Sequence, residues 1–255
     1  MNLFKKYHLG LALSGGGIRG FSHIGALKAL EEHGLKPDLI SGVSAGAVVG
    51  AFYADGFSPD EIHELLKDKE FFDISQVVFP KDGLLHFTGL RSNILSRLKS
   101  KKLEELPLKL IVCATNLNKA ETTYFEEGNI EDIISASASI PALFSPTVIN
   151  GEKYVDGGIL DNLPVKPIRD MSKKVIGINT NYLVDKKDFD TIPKIMERIL
   201  HIGVHKSVKE SIKMADHCIV FEELNQFSIF DTSKSDLMYK IGYDHTKKYL
   251  SENKI

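Results

Sequence analysis

The pentapeptide Gly42-Val43-Ser44-Ala45-Gly46 constrains this chain most, because it places a serine between the strand-like Leu39-Ile40 and an apolar, helix-like run. Strand, Gly-x-Ser-x-Gly and helix together are typical of a nucleophile elbow, a sharp turn that exposes the serine hydroxyl. Gly42 and Gly46 suit such a turn because the strand and the helix approach too closely for larger side chains. We therefore predict a helix starting at Ser44, whose positive dipole end faces any anion formed there. An incidental serine in a glycine-rich turn is the alternative.

A second glycine cluster, Gly15 to Gly20, lies between a strand-like run from Leu9 to Leu13 and a predicted helix from Phe21 to His33. Its Gly-x-Gly-x-x-Gly spacing matches the dinucleotide fingerprint, which also needs an acidic residue at the carboxyl end of the next strand. Asp38 stands before that strand, and Ser44 stands at its end. No Gly-Lys-Ser/Thr follows, as a phosphate-binding P-loop requires. The pattern disfavours a nucleotide.

An oxyanion hole is the alternative use of these glycines. Successive N–H groups of Gly15, Gly16 and Gly17 can point at one concavity and stabilise a developing alkoxide charge. The carboxyl ends of adjacent parallel strands face one crevice. We therefore expect the loop at 15–20 and the elbow at 42–46 to be neighbours.

Asp156 is the candidate general base. It ends a short strand-like run, Glu152 to Val155, and precedes two glycines, a placement typical of residues aimed into a crevice. A turn aspartate that bonds its own backbone is the alternative. With an ordinary pKa of about 3.9, a carboxylate is a weak base for a serine proton. Burial would raise that pKa, so we expect a dry, glycine-lined pocket around Ser44 and Asp156.

A Ser-His-Asp triad is the main catalytic alternative. Four histidines follow Asp156, at His201, His205, His217 and His245. None stands in a turn-rich strand end, so surface or boundary positions are expected for all four. The pair at 201 and 205 has helical spacing but no intervening glutamate and no evident third ligand, which makes a zinc site a weak hypothesis. His23, on the first helix, is interpreted as a packing residue and not as a base.

Arg19 stands at a helix start, where a positive charge opposes the helix dipole. A solvated surface charge is one interpretation. Two functional hypotheses remain beside it. The guanidinium either contacts a phosphate or carboxylate of the substrate, or makes a bond that fixes the glycine loop.

Taken in order, these motifs resemble those of the bacterial patatin-like phospholipases, a group related to patatin and neuropathy target esterase. The resemblance rests on residues 15–20, 21–27, 42–46, 135–141, 144–146, 156–158 and 162–164. It covers roughly the first 180 residues and is far more specific than a single pentapeptide. It implies an α/β/α sandwich with a mainly parallel central sheet. It also implies a Ser–Asp dyad that hydrolyses acyl esters of lipids, as a phospholipase A, lysophospholipase or esterase.

Carried over position by position, the resemblance assigns each candidate residue a role. Ser44 matches the nucleophile and Asp156 the base. Gly15, Gly16 and Gly17 match the oxyanion loop, and Arg19 matches the arginine of that loop. An acyltransferase acting through the same dyad and a catalytically idle regulatory module that keeps the fold are the alternative functions.

The whole-chain properties fit one α/β domain over residues 1–255, with the motifs at about 9–180 and a C-terminal completion at 186–255. A net charge of −2 gives no reason to expect nucleic acid as a partner. No apolar run is long enough to span a bilayer, and the N-terminus does not resemble a signal peptide. Cys113 and Cys218 lie in strand-like runs, so we expect buried free thiols and a cytoplasmic protein.

No cofactor or metal is expected, since no calcium loop or ligand cluster is evident. A lipid or acyl ester is the expected substrate partner. Transient contact with a membrane surface and the oligomeric state stay open.

Alternating strands and helices predict a doubly wound sheet. Helices are predicted at 59–67, 88–99, 130–137, 192–214 and 235–250. Strands are predicted at 108–115, 122–125, 152–155, 175–179 and 217–221. The apolar segment from Phe71 to Leu90, interrupted by proline and glycine, is interpreted as an irregular cover of the core. A lid or acyl-chain wall beside the serine is the functional hypothesis for it.

Overall fold

A computed structural model describes residues 6–67, 95–141, 143–185, 190–229 and 231–255. Its strands are β1 (Tyr7–Leu13), β2 (Leu39–Val43), β3 (Lys109–Asn116), β4 (Glu121–Phe125), β5 (Thr147–Ile149), β6 (Glu152–Asp156), β7 (Ser172–Asn179) and β8 (His217–Val220). They form one eight-stranded sheet in the order β5-β6-β3-β2-β1-β7-β8, with β4 also paired to β3. Strands β1, β2, β3, β7 and β8 are parallel neighbours. The other three pair antiparallel, so the sheet is mainly parallel, as predicted.

The helices are α1 (Phe21–Glu32), α2 (Ala45–Ala54), α3 (Pro59–Leu66), α4 (Ile130–Ala138), α5 (Lys166–Arg169), α6 (Ile192–Met214) and α7 (Ser235–Glu252). Local sequence explains where several of them begin. Ser58 caps α3 by accepting the Glu61 N–H, and the Glu61 carboxylate in turn accepts the Ser58 N–H. Asn129 caps α4 by accepting the Asp132 N–H at 3.0 Å.

Both faces of the sheet are covered by helices. Along β1, Leu11 and Leu13 pack into the larger core with α1, α2, α3 and α7, whereas Ala12 belongs to the core on the other face. Helices α5 and α6 close that second core through Ile168 and Val208. Because successive side chains of a strand point to opposite faces of the sheet, β1 contributes to two separate apolar layers. The predicted α/β/α sandwich is confirmed.

Three parallel strands bring the glycine loop and the elbow together. Leu13, the last residue of β1, pairs with Gly42 of β2 on one side and with Ile178 of β7 on the other. The loop after β1, the elbow after β2 and the residues after β7 therefore leave the sheet at the same edge. The expected neighbourhood of loop and elbow is confirmed.

Asp156 reaches this edge on an antiparallel strand. Val43 pairs with Cys113 of β3, and Ala114, the next residue of β3, pairs with Asp156. Because β2 stops at Val43, Ser44 and Asp156 lie at the same level on the two sides of β3. The backbones are two strand spacings apart, about 10 Å.

Some predictions were wrong or fall outside the described part of the chain. The helix predicted at 88–99 is not found in its described part, where only Leu95–Arg97 form a 3₁₀ turn. Cys113 is a buried free thiol as expected, but Cys218 is partly exposed, because β8 is the outermost strand. The segment from Phe71 to Leu90 lies outside the described residues. Among the described helices, none has the length and apolar character needed to cross a bilayer.

Candidate active site

Ser44 sits at the tip of a strained turn between β2 and α2. Its backbone has φ 52° and ψ −123°, a combination that residues with a side chain rarely adopt. Ser44 is the N-cap residue and α2 begins at Ala45, so the prediction that the helix starts at Ser44 was wrong by one residue. A Cβ on Gly42 would lie 2.7 Å from the Gly46 carbonyl oxygen, and one on Gly46 would collide with the Leu13 carbonyl oxygen. Close backbone approach is therefore the physical reason for both glycines.

Asp156 ends β6 and is buried, with 8% of its surface exposed. Burial raises the pKa of its carboxyl from 3.8 to about 6, although the nearby Ser44 side chain and the hydrogen bond from the Gly158 N–H act in the opposite direction. The Gly158 N–H donates to Oδ1 at 2.8 Å, which is the local contact of a turn aspartate. The same carboxylate thus makes a structural bond and faces the serine. With a pKa of about 6 it stays ionised at neutral pH and is a stronger base than an ordinary aspartate.

Ser44 and Asp156 line one cavity together with Gly15, Gly16 and Gly17. The rest of the lining is largely apolar, at Ile140, Pro141, Ile159, Val204 and Ile229, with Gly158, Asn162 and Asn181 completing it. An apolar lining gives a low local dielectric, which strengthens hydrogen bonds and charge interactions inside the cavity.

Side chains outside the glycine loop fix the orientation of the Gly15 carbonyl, and this orientation leaves N–H groups of the loop free. The Gly15 carbonyl accepts hydrogen bonds from Thr180 Oγ1 at 2.8 Å and from Asn181 Nδ2 at 2.6 Å. In a trans peptide the C=O and N–H point in opposite directions, so the Gly16 N–H points away from these donors. Within the described residues, the N–H groups of Gly16 and Gly17 have no hydrogen-bond partner. Two donors are therefore available to an anion in the cavity.

Asn162 joins the glycine loop to the Asp156 turn. Its carbonyl accepts the Gly15 N–H at 3.3 Å, so this third N–H is already engaged. Its Oδ1 occupies the space beside two glycines, because a Cβ on Gly15 or on Gly158 would lie 2.5 Å from it. Its Nδ2 is buried and has no partner in the described part of the molecule. Sequence reasoning used residues 162–164 only for the family resemblance and assigned Asn162 no contact.

Ser137, on α4, supports the elbow from inside the fold. Its Oγ accepts the Ser44 N–H at 2.9 Å and donates to the Cys113 carbonyl at 2.7 Å. The residue is fully buried. The motif at 135–141 was the signal for it in the sequence, but nothing in that motif indicated which serine reaches the elbow.

Arg19 is buried and contacts residues far away in the chain. Its Nε and Nη2 donate to the Phe227 carbonyl at 3.2 and 2.6 Å, and its Nη1 lies 3.4 Å from Asn181 Oδ1. Of the three interpretations, the solvated surface charge is therefore wrong. The contacts favour a bond that fixes the glycine loop over a contact with substrate.

His23 is fully buried beneath the glycine loop. Its Nε2 donates to the Ser14 carbonyl at 2.8 Å, which assigns the proton to that nitrogen. Burial lowers the pKa of the imidazole to about 4, so the ring is neutral. His23 therefore packs and supports the loop backbone, as the sequence predicted.

In the described part of the chain, no histidine lines the cavity. His205 is exposed, His217 faces a tyrosine of α7, and His245 pairs with a glutamate that follows β8. The His201 side chain lies outside what the structure describes. Across the described residues, no three His, Cys, Asp or Glu side chains cluster as a metal site would require. Among the side chains that the structure describes, the cavity thus offers a serine–aspartate pair and no histidine.

Comparison with known proteins identifies the family. The model of the patatin-like phospholipase family matches residues 11–169, more than half of the chain. An uncharacterized NTE family protein of Mycobacterium tuberculosis is 33% identical over 160 residues, which cover 62% of this chain and 44% of that protein. Lysophospholipase NTE1 of Lodderomyces elongisporus is 26% identical over 276 aligned positions, which cover 96% of this chain but 19% of that protein.

The fold comparison agrees with the sequence comparison. The crystal structure of VipD from Legionella pneumophila superimposes with a TM-score of 0.57 at 17% sequence identity, covering 97% of this chain and 67% of VipD. This likeness concerns the fold alone. The chain spans about a fifth of the length of the lysophospholipases that it matches. On the family match over more than half of its length, the chain belongs to the patatin-like phospholipase family.

Proposed function

We propose that this protein hydrolyses carboxylic ester bonds of lipids, with Ser44 as the nucleophile and Asp156 as the general base. One observation carries the proposal: Ser44, in a strained elbow, and Asp156, a buried carboxylate, line the same cavity beside the glycine loop. Burial raises the pKa of that carboxylate to about 6, which suits a general base. Family membership supports a lipid ester as the substrate class, and several relatives are named lysophospholipases.

In the first half-reaction the Asp156 carboxylate accepts the Ser44 hydroxyl proton while Oγ attacks the ester carbonyl carbon. The carbonyl oxygen becomes an oxyanion, which the N–H groups of Gly16 and Gly17 stabilise. Losing one such donor typically costs about 3–4 kcal/mol of transition-state stabilisation. The Gly15 N–H is engaged by Asn162, so Gly15 contributes close backbone approach and not a donor.

The tetrahedral intermediate then breaks down. Its C–O bond to the leaving alcohol breaks, and the alcohol takes the proton from Asp156. This leaves an acyl ester on Ser44 and an ionised Asp156. In the second half-reaction Asp156 deprotonates a water molecule that attacks the acyl-enzyme, the fatty acid is released, and Ser44 regains its proton.

An acyltransferase would use the same first half-reaction and differ only in the alcohol that replaces water. Acyl transfer therefore remains the second candidate, and product analysis separates the two. A catalytically idle module is disfavoured, because a strained serine backbone and a destabilised buried carboxylate are costly features that packing alone does not require.

The test is product analysis with a panel of lysophospholipids and diacyl phospholipids. The wild-type protein is expected to release free fatty acid, and Ser44→Ala and Asp156→Asn to lower kcat by about a thousandfold or more. Ser135→Ala is the matched control, because this serine lies on the same helix as Ser137 but donates to the Glu131 carbonyl and does not touch the elbow. Diacyl product formed from two lysophospholipids would identify acyl transfer. Turnover that survives both dyad substitutions would contradict the assignment.

A further inference from the structure

The outward side of α6 carries a continuous apolar stripe. Ile192, Ile195, Ile199 and Ile202 follow one another at steps of three, four and three residues, which aligns them along one side of a helix. Their exposed fractions are 77%, 40%, 55% and 54%. Single exposed apolar side chains are ordinary, but an exposed apolar stripe is typical of a surface that binds another protein or a membrane.

The opposite side of α6 is anchored at the candidate active site. Val204 lines the cavity, and Val208 is buried in the core beneath the sheet. Between them, Ser207 Oγ accepts the Asn162 N–H at 3.4 Å. A surface that docks through the stripe would therefore lie one helix diameter, about 10 Å, from the cavity lining.

The charge pattern of α6 indicates what that surface is. Beyond the stripe, Lys206, Lys209 and Lys213 continue along the same side and are exposed, with Glu210 as the acidic residue among them. Within the described chain none of the three lysines forms an ion pair. Apolar side chains that insert and lysines that stay in the headgroup layer are the pattern of a helix lying in a membrane interface. Lysines near a bilayer are attracted to anionic lipids.

We propose that the α6 face, made of these four isoleucines and three lysines, docks the protein on an anionic lipid bilayer. Docking there would bring the cavity close to lipid esters. The role of docking therefore rests on the proposed function, whereas the binding itself does not. A bilayer accounts for both parts of the face, because its apolar interior takes up the isoleucines and its anionic headgroups attract the lysines. A second copy packed in parallel would bury the isoleucines but set the two rows of lysines near each other, whereas an antiparallel copy would leave the lysines outside the shared apolar surface.

The binding test uses the Ser44→Ala protein, so that catalysis does not alter the vesicles. Co-sedimentation with vesicles of mixed phosphatidylglycerol and phosphatidylcholine is compared with vesicles of phosphatidylcholine alone. Ile199→Ser with Ile202→Ser is expected to weaken binding about tenfold or more, because less apolar surface is buried. The matched control, Val148→Ser with Leu237→Ser, changes exposed apolar residues elsewhere and is expected to bind like the parent protein.

A second pair of variants tests the charges. Lys206→Glu with Lys209→Glu is expected to abolish the preference for anionic vesicles, whereas Lys247→Glu with Lys248→Glu on α7 is expected to retain it. Melting curves check that each variant is folded. Undiminished vesicle binding by the isoleucine variant, or a wild-type dimer that this variant dissociates, would overturn the proposal. If vesicles bind through the α6 face but no lipid ester is cleaved, the docking inference stands and the proposed function fails.

Discussion

Replacing Asp156 by asparagine tests whether burying this carboxylate beside the cavity lowers the stability of the folded protein. The pKa of this carboxyl is raised from 3.8 to about 6 in the folded protein, chiefly by burial. Between these values the folded protein keeps a proton that the unfolded chain has released, so stability falls as the pH rises through this window. A shift of about two pKa units corresponds to about 3 kcal/mol. Asparagine does not titrate and can still accept the Gly158 N–H.

The free energy of unfolding of the variant, minus that of the wild type, should therefore grow by about 3 kcal/mol from below pH 3.8 to well above about pH 6. Urea denaturation of both proteins at a series of pH values measures this difference, and the titration of all other groups cancels. At neutral pH the Asp156→Asn protein is expected to be the more stable of the two. A difference that does not change with pH would refute the argument that burial raises this pKa.

Three further predictions concern the same site. Below about pH 6, kcat/KM should fall tenfold per pH unit as Asp156 becomes protonated, and a flat profile there would exclude it as the base. Ser137→Ala should lower kcat with little change in KM, since it leaves the Ser44 N–H unpaired; an equal effect of Ser135→Ala would argue for helix destabilisation. Arg19→Lys should lower the free energy of unfolding by about 1–3 kcal/mol, because the two-pronged bond to a carbonyl is lost. A raised KM at unchanged stability would instead identify Arg19 as a substrate contact.

The elbow and the glycine loop could be predicted because their requirements are local. A strand that turns into a helix within one residue needs small neighbours at fixed positions, and Gly42 and Gly46 stand at those positions. Their mutual approach followed from the rule that adjacent parallel strands end at one edge. The burial of Asp156 was expected because a carboxylate with an ordinary pKa is a weak base for a serine proton. The raised pKa of Asp156 agrees with that expectation.

Contacts between distant segments could not be predicted in this way. Ser137 reaches the elbow across 93 positions, and Arg19 reaches its carbonyl partner across 208. No periodicity or turn signal encodes such pairs. The three-residue strand β5 carries too short a pattern to stand out from a loop. In the described part of the helix expected at 88–99, Leu95–Arg97 form a 3₁₀ turn, so a helix-compatible pattern did not decide the conformation there.

The most direct test of the central claim is intact-mass analysis after reaction with a fluorophosphonate probe. The wild-type protein is expected to gain one adduct, which peptide mapping locates on Ser44, and Asp156→Asn is expected to react far more slowly. An adduct that persists in Ser44→Ala, or no adduct on the folded wild-type protein, would contradict the account.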